Sequence, residues 1–136
     1  MDLNLPYKPS GGFDALYGLE LVVADGETVR GTVQVRDELK QPAGLVHGGV
    51  YASIAETLAS IGTAVQVIPE GKVAMGLANS TSFMRPITTG AIHAEAQVLH
   101  RGRTTWVWDV RMSDDQGRLC AITRMTVAVR DGDSSH

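Results

Sequence analysis

The order of hydrophobic patterns along the chain predicts an α+β fold, with two β-strands, one long α-helix and then four more strands forming an antiparallel sheet. Three observations predict it. Apolar and polar residues alternate with period two in several short segments, and between 47 and 67 the apolar residues fall instead at helical spacing. The segments that join the later strands are short and carry Pro, Gly, Asp and Ser, as turns between antiparallel neighbours do.

The elements follow in order. Residues 1–12 hold two prolines, two glycines and few apolar side chains, and read as an N-terminal arm. Phe13 to Tyr17 suits a short helix. Leu19–Val23 and Thr28–Val35 flank Asp25-Gly26, a strong hairpin signal. In the second of these strands Val29, Val33 and Val35 face one way and Arg30, Thr32 and Gln34 the other. Pro42 and Gly44 make the following segment a loop. The helix then runs from about His47 to Val67, with Ile54, Leu58, Ile61 and Val65 on one stripe and the small residues Ala52, Ala55, Ala59 and Gly62 on another. Pro69 and Gly71 stop it. Strands are expected at Val73–Arg85, Ala91–His100, Thr104–Met112 and Arg118–Val129, each an antiparallel neighbour of the next. Trp106, Trp108, Val110 and Met112 share one face, and Leu119, Ala121, Met125, Val127 and Val129 share another. Residues 13–130 therefore make one domain and 131–136 a C-terminal tail. One helix covers one face of a sheet, so the other face must stay polar or find cover, and self-association is the simplest cover.

Bulk composition narrows the function. A net charge of −3 with mixed signs lacks the basic face of a nucleic-acid binder. The single Cys120 forms no internal disulfide, no metal-type Cys/His spacing exists, and Cys120 reads as a buried small side chain. No secretory signal pattern opens the sequence, and the uncharged stretch from Val46 to Ile68 contains His47, Glu56, serines and threonines that lipid would penalise. A cytoplasmic protein that does not enter a membrane is the expectation.

Two features of the helix carry chemistry. His47-Gly48-Gly49 opens it, where the first backbone N–H groups lack helical acceptors and sit at the positive end of the dipole. Glycine leaves those groups open to a carbonyl oxygen that gains negative charge on attack. The alternative for an isolated His-Gly-Gly is a tight turn and nothing more. The second feature is Glu56, a carboxylate within a small, apolar helix, with Ser53 and Ser60 on its side. Such a group is paired, hydrated or functional; the alternative is a solvated surface glutamate. Gly48 and Glu56 stand about 12 Å apart along one helix, so one chain cannot bring both to the same carbon. A two-fold pairing of chains could.

Together these residues resemble the hotdog-fold thioesterases, over roughly residues 13–130. The nearest subgroup by this resemblance is that of phenylacetate-degradation and Arthrobacter-type 4-hydroxybenzoyl-CoA thioesterases. Its motif is His47-Gly48-Gly49 with an acidic residue eight positions after Gly48, supported by Met84-Arg85-Pro86 at a strand end and Arg101-Gly102-Arg103-Thr104 between strands. The resemblance implies a curved antiparallel sheet wrapped round one long helix, a homodimer with a continuous sheet, and a homotetramer. It implies hydrolysis of an acyl-CoA with no metal or other cofactor. Glu56 would be nucleophile or general base, and the Gly48 N–H of the other subunit would polarise the carbonyl, with Gly49 beside it. Gln41 would orient substrate or water, Ser60 would hold the attacking water, and His47 would fix the loop. Candidates for coenzyme A are Arg101, Arg103 and Thr104, then Arg85, because phosphates favour arginine and turn donors; each is otherwise an ordinary turn residue. Asn79 and Ser80 would line the pantetheine channel or face water. No role falls to His93 or His100, and Trp106 and Trp108 read as core or subunit interface. An aromatic acyl group, such as hydroxybenzoyl or phenylacetyl, is the first expectation and a medium-chain fatty acyl group the second. The rivals are a hotdog hydratase or dehydratase, which needs a histidine at the reacting carbon, and a non-catalytic acyl-CoA-binding domain.

Overall fold

The computed structural model describes residues 11–132. Most of the expected arm, and positions 133–136 of the expected tail, lie outside the described residues. The elements are α1 (Gly12–Tyr17), β1 (Glu20–Ala24), β2 (Thr28–Gln34), α2 (Gly48–Val67), β3 (Lys72–Phe83), β4 (Ala91–Arg101), β5 (Thr105–Ser113) and β6 (Leu119–Asp131). Single 3₁₀ turns at Asp37–Leu39 and Ile68–Glu70 precede and follow α2.

The β1–β2 hairpin forms where Asp25-Gly26 places it, but not through a left-handed glycine, since Gly26 has no positive φ. Asp25 Oδ1 instead accepts the N–H groups of Glu27 (2.8 Å) and Thr28 (2.9 Å). Those two donors, Glu27 first, hold the Asp25 carboxyl below the usual carboxylate range.

All pairings are antiparallel, in the order β1-β2-β4-β5-β6-β3. This corrects one expectation. β3 and β4 follow each other in sequence yet are not neighbours; β3 pairs with β6 at the far edge, from Lys72↔Asp131 to Phe83↔Ala121. The segment after β3 is a crossover, not a turn. Met84 and Arg85 both donate their N–H groups to Cys120 O, Pro86 has none to give, and buried Ile87 accepts from Val46 N–H on the far side of the helix entrance. The strand therefore ends at Phe83, two residues before Arg85.

Helix α2 contacts all six strands, so the sheet curves round it. The inner face is the expected one. Val29, Val33, Ile92, Ala96, Trp108, Val110, Met112, Met125 and Val127 are buried against Ile54, Leu58 and Ile61. Trp106 and Trp108 are both core residues, stacked with centroids 6.3 Å apart, and Cys120 is fully buried. Leu119 differs: it stands 36% exposed at the start of β6.

The small stripe of α2 lets the sheet approach closely. A Cβ on Gly62 would lie 2.7 Å from Trp108 Cζ2 and 2.8 Å from Val29 Cγ2. Trp108 cannot retreat freely, because its Nε1–H donates to the buried Thr63 hydroxyl at 2.9 Å. Gly62→Ala gains about 1 kcal/mol in helix propensity but overpacks a core at roughly 1–3 kcal/mol. A lower melting temperature at fixed protein concentration is the expected result; a rise would show that the Trp108 ring is free to move.

The outer face of β2, β4 and β5 stays polar, with ion pairs Arg30–Glu95 (3.7 Å) and Arg111–Asp109 (2.9 Å). Apart from Val22 on β1, Leu99 on β4 and Leu119 on β6, which stand singly, the exposed apolar side chains of the strands and α1 gather elsewhere: Val73, Met75, Leu77 and Phe83 on β3, and Phe13 and Leu16 on α1. Cover is needed at the β3 edge and on the helix side, not over the back of the sheet.

Candidate active site

His47 caps α2 with extended φ/ψ of −64° and 136°, and its Nδ1 accepts the Gly49 N–H at 2.8 Å. Val50 N–H returns to His47 O at 3.0 Å. Gly48 N–H, between them, has no acceptor among the described residues. The two glycines thus divide their tasks: one N–H fixes the histidine, the other is left open. Gly48 also has a steric reason to be glycine, since a Cβ there would lie 2.7 Å from Phe83 Cζ.

Glu56 is exposed on the outer side of α2, and its carboxylate lies over Gly76 of β3, where a Cβ would stand 3.1 Å from Oε2. Gly76 opens a bulge, because the β3–β6 register shifts between Gly76 and Ala78 and leaves Leu77 unpaired. An isolated glycine inside a strand pattern is the sequence signal for such an approach. Asn79 Nδ2 donates to Ala52 O at 2.9 Å. The contacts Gly48–Phe83, Ala52–Asn79 and Glu56–Gly76 show that α2 and β3 run antiparallel, one laid along the other.

Glu56, Ser53 and Ser60 line one groove of about 510 Å³, with Phe13, Asp14, Thr57, Ile61, Ala64, Ile68, Val73 and Ala74. His47 and Gly49 line another, of about 480 Å³, with Arg36, Lys40 and Val50 among its walls. Phe13 and Ser53 border both. One chain therefore keeps its acid and its helix entrance in separate grooves. Ser53 donates to Gly49 O at 2.7 Å. Asp14, absent from the sequence reading, is 8% exposed and accepts on Oδ1 from Tyr17 (2.7 Å) and Thr57 (2.8 Å).

The other expected residues scatter. Gln41 closes its own loop, its Oε1 accepting Ala43 N–H at 2.6 Å. Arg101 is held by Gly26 O and by Glu27 at 3.8 Å, and lies 5.5 Å over the Trp106 ring. Arg103 and Thr104 are exposed, and Arg85 has no ion pair among the described residues. Ser80 is exposed on the β3 edge, and Asn79 is occupied by Ala52 O and Thr81. His93 bonds Asp115 at 2.7 Å on the outer sheet face. Among the described residues no three His, Cys, Asp or Glu side chains gather where they could hold a metal, and no helix is long and apolar enough to cross a membrane.

Residues 43–121, more than half of the chain, match the thioesterase superfamily. The chain belongs to that family. This thioesterase is 35% identical to PA1618 of Pseudomonas aeruginosa over 93% of its own length and 86% of the relative's. A crystal structure of a glutamine-to-alanine mutant of thioesterase PA1618 superposes with a TM-score of 0.85 at 32% identity, covering 90% of this chain and 88% of that one. It is 31% identical to a 1,4-dihydroxy-2-naphthoyl-CoA hydrolase of Listeria monocytogenes, over 88% of this chain and 96% of the relative. Mutant structures of SAV0944 from Staphylococcus aureus superpose with a TM-score of 0.82 at 28% identity, covering 85% of this chain and 96% of that one. One replaces a glutamine by alanine and the other a glutamate, fifteen positions further on. The fold is the hotdog fold, and the chain is a thioester hydrolase.

Proposed function

We propose that this thioesterase hydrolyses an acyl-CoA with an aromatic acyl group, at a site shared between two copies of the chain. The observation that carries the reading is an open Gly48 N–H at the start of α2 and an exposed Glu56 eight residues further along the same helix, in a groove that Gly48 does not line. Gln41 and Glu56 stand fifteen positions apart, the separation of the glutamine and glutamate replaced in SAV0944.

Strand β3 supplies the route to a shared site. It ends the sheet, runs for 12 residues, and carries Met75, Leu77 and Phe83 at 54%, 58% and 58% exposure. A long unpaired apolar edge invites another strand. Because α2 lies antiparallel along β3, antiparallel pairing of two β3 strands about an axis near Asn79 and Ser80 sets Gly76 of one opposite Phe83 of the other. That brings Glu56 beside the partner subunit's Gly48. Dimers that pair again into tetramers would do so on the helix side, where Phe13 and Leu16 are exposed, since the sheet back is polar.

In this reading the thioester carbonyl accepts from the partner's Gly48 N–H, which stabilises the oxyanion. Glu56 removes a proton from a water held by Ser60, which attacks the carbonyl carbon, or attacks that carbon itself to form a mixed anhydride that the Ser60-held water then hydrolyses to free acid and Glu56 carboxylate; in either case the carbon–sulfur bond breaks and the coenzyme A thiolate leaves and takes up a proton. Gln41 orients the acyl group or water. Arg85 and Arg103, without ion partners among the described residues, and Thr104 are the freest to meet the coenzyme's phosphates; Arg101 would have to leave Glu27. Asn79 and Ser80 would flank the pantetheine. The aromatic preference rests on the subgroup resemblance and on the Listeria relative's name. No observation favours the hydratase: the nearby histidine, His47, turns Nδ1 onto Gly49 N–H.

A thiol-release assay over benzoyl-, hydroxybenzoyl-, phenylacetyl- and octanoyl-CoA tests this. Release from all, with kcat/KM highest for an aromatic ester, is expected. A higher value for octanoyl-CoA overturns the aromatic assignment, and binding without release overturns the enzyme.

A further inference from the structure

Between the Gly48–Phe83 and Glu56–Gly76 contacts, α2 is tied to the edge strand by a hydrogen bond. Asn79 Nδ2 donates to Ala52 O at 2.9 Å. Within α2 that carbonyl also receives the Glu56 N–H, four residues on. The Asn79 amide is therefore fastened to the turn from which Glu56 projects. Its orientation is fixed by its neighbours. A carbonyl only accepts, so the nitrogen faces Ala52, and Oδ1 faces the Thr81 hydroxyl, which donates to it at 2.7 Å. Thr81 has one hydrogen and has given it to Asn79, so in its 2.8 Å contact with Thr123 Oγ1 the donor is Thr123. The bonds run one way, from the buried Thr123 on β6, through β3, to the helix backbone.

The bulge at Leu77 makes this tie possible. Residues three apart on a regular strand point to opposite faces. With Leu77 unpaired, Gly76 lies opposite Val127 and Asn79 opposite Met125, both core residues, so Gly76 and Asn79 share the face toward the helix. Gly76 passes under Glu56 while Asn79 reaches Ala52, about one helical turn earlier. Ala52 is also the midpoint of the segment that matters, four residues after Gly48 and four before Glu56. When the acid of each chain meets the amide of the other, the middle of this segment lies closest to the two-fold axis. A slide or tilt of α2 against β3 then displaces Gly48 and Glu56 together and disturbs both sites of the dimer. Water competes for the Asn79 bond on the open edge of a single chain, and paired β3 strands would exclude it.

We propose that Asn79 is a positioning residue, which pins α2 to the edge strand midway between the oxyanion donor and the acid and so sets the distance from Glu56 to the partner subunit's Gly48. The inference rests on the shared-site reading above and adds the device that holds the two groups within reach. Both Nδ2 and Oδ1 of the amide have protein partners, so Asn79 acts on the reaction through the helix backbone.

The test measures kcat and KM for every ester of the thiol-release screen, well below the melting temperature of each protein, in the wild type, Asn79→Asp, Asn79→Ala and Thr63→Val. Asn79→Asp is nearly isosteric; it keeps an acceptor for Thr81 and sets against Ala52 O a carboxylate oxygen with no hydrogen to give. Both Asn79 variants lose about ten- to a hundredfold in kcat, by the same factor for each ester, with KM within about threefold of wild type. Thr63→Val deprives Trp108 Nε1–H of its buried acceptor on the β5 side of α2, and so lowers the melting temperature while leaving the β3 tie alone. It keeps kcat within about twofold of wild type. Unchanged kcat in Asn79→Asp and Asn79→Ala overturns the proposal. So does a rise in KM with kcat retained, which makes the amide a substrate contact, and so does an equal loss of kcat in Thr63→Val, which makes the effect one of general stability. Should Asn79→Ala fail to fold, Asn79→Asp decides alone. Absence of thiol release from every ester in the wild type would instead sink the acyl-CoA reading, and the Asn79 assignment with it.

Discussion

Glu56→Gln lowers kcat by about 10²–10⁴-fold and leaves KM for the acyl-CoA within a few-fold of wild type. The side chain keeps its length and its polar tip, so the position over Gly76 is still filled. What disappears is the ability to take a proton or to attack carbon. A group that acts only on the reacting carbon lowers kcat and kcat/KM together, whereas a binding group raises KM. The melting temperature should hold, because Glu56 is exposed and no salt bridge or hydrogen bond of its side chain is found among the described residues. A variant with undiminished kcat would remove Glu56 from the mechanism.

The second large effect comes from a pair of substitutions at Gly48. Gly48→Pro removes the open N–H, and loss of one oxyanion donor costs about 10²–10³-fold in kcat. The backbone accepts proline here. Gly48 is the first helical residue, where proline is favoured, and His47 before it is already extended at ψ 136°. The added Cβ must displace the Phe83 ring, which is 58% exposed in the single chain and borders the partner strand in the proposed dimer. Gly48→Ala carries the same Cβ and keeps the N–H, so it separates the two causes. Alanine should retain most of the activity that proline loses. Equal loss in both would assign the effect to Phe83 and not to the donor.

The helix and the open amide at its start were legible because both depend on local pattern. The stripe Ile54, Leu58 and Ile61 needs only helical spacing, and a His-Gly-Gly start needs only the knowledge that first-turn amides lack acceptors. Strand order was not legible, since the β3–β6 ladder joins Lys72 to Asp131 and no local signal chooses β6 over β4. The seven-residue link after Phe83 looks like a turn until Met84 and Arg85 are seen to share one carbonyl. Asp14 was missed for the same reason: its bond to Thr57 spans 43 positions. Gly76 was visible as an oddity within an apolar strand, but its purpose appears only once Glu56 is laid across it. The interpretation of Glu56 itself stayed divided between a catalytic and a surface glutamate, because exposure in one chain is what both require.

Whether the acid and the amide belong to different subunits can be read from mixed assemblies. Glu56→Gln and Gly48→Pro proteins, each nearly inactive, are unfolded together in equal amounts and refolded. If the site takes Glu56 from one chain and Gly48 from its partner, random pairing leaves about a quarter of the sites with both groups intact. The mixture should then recover about a quarter of wild-type kcat per chain. Activity that stays at the level of the separate variants, in a preparation shown by mass spectrometry to contain mixed dimers, would place both groups in one chain and contradict the shared site.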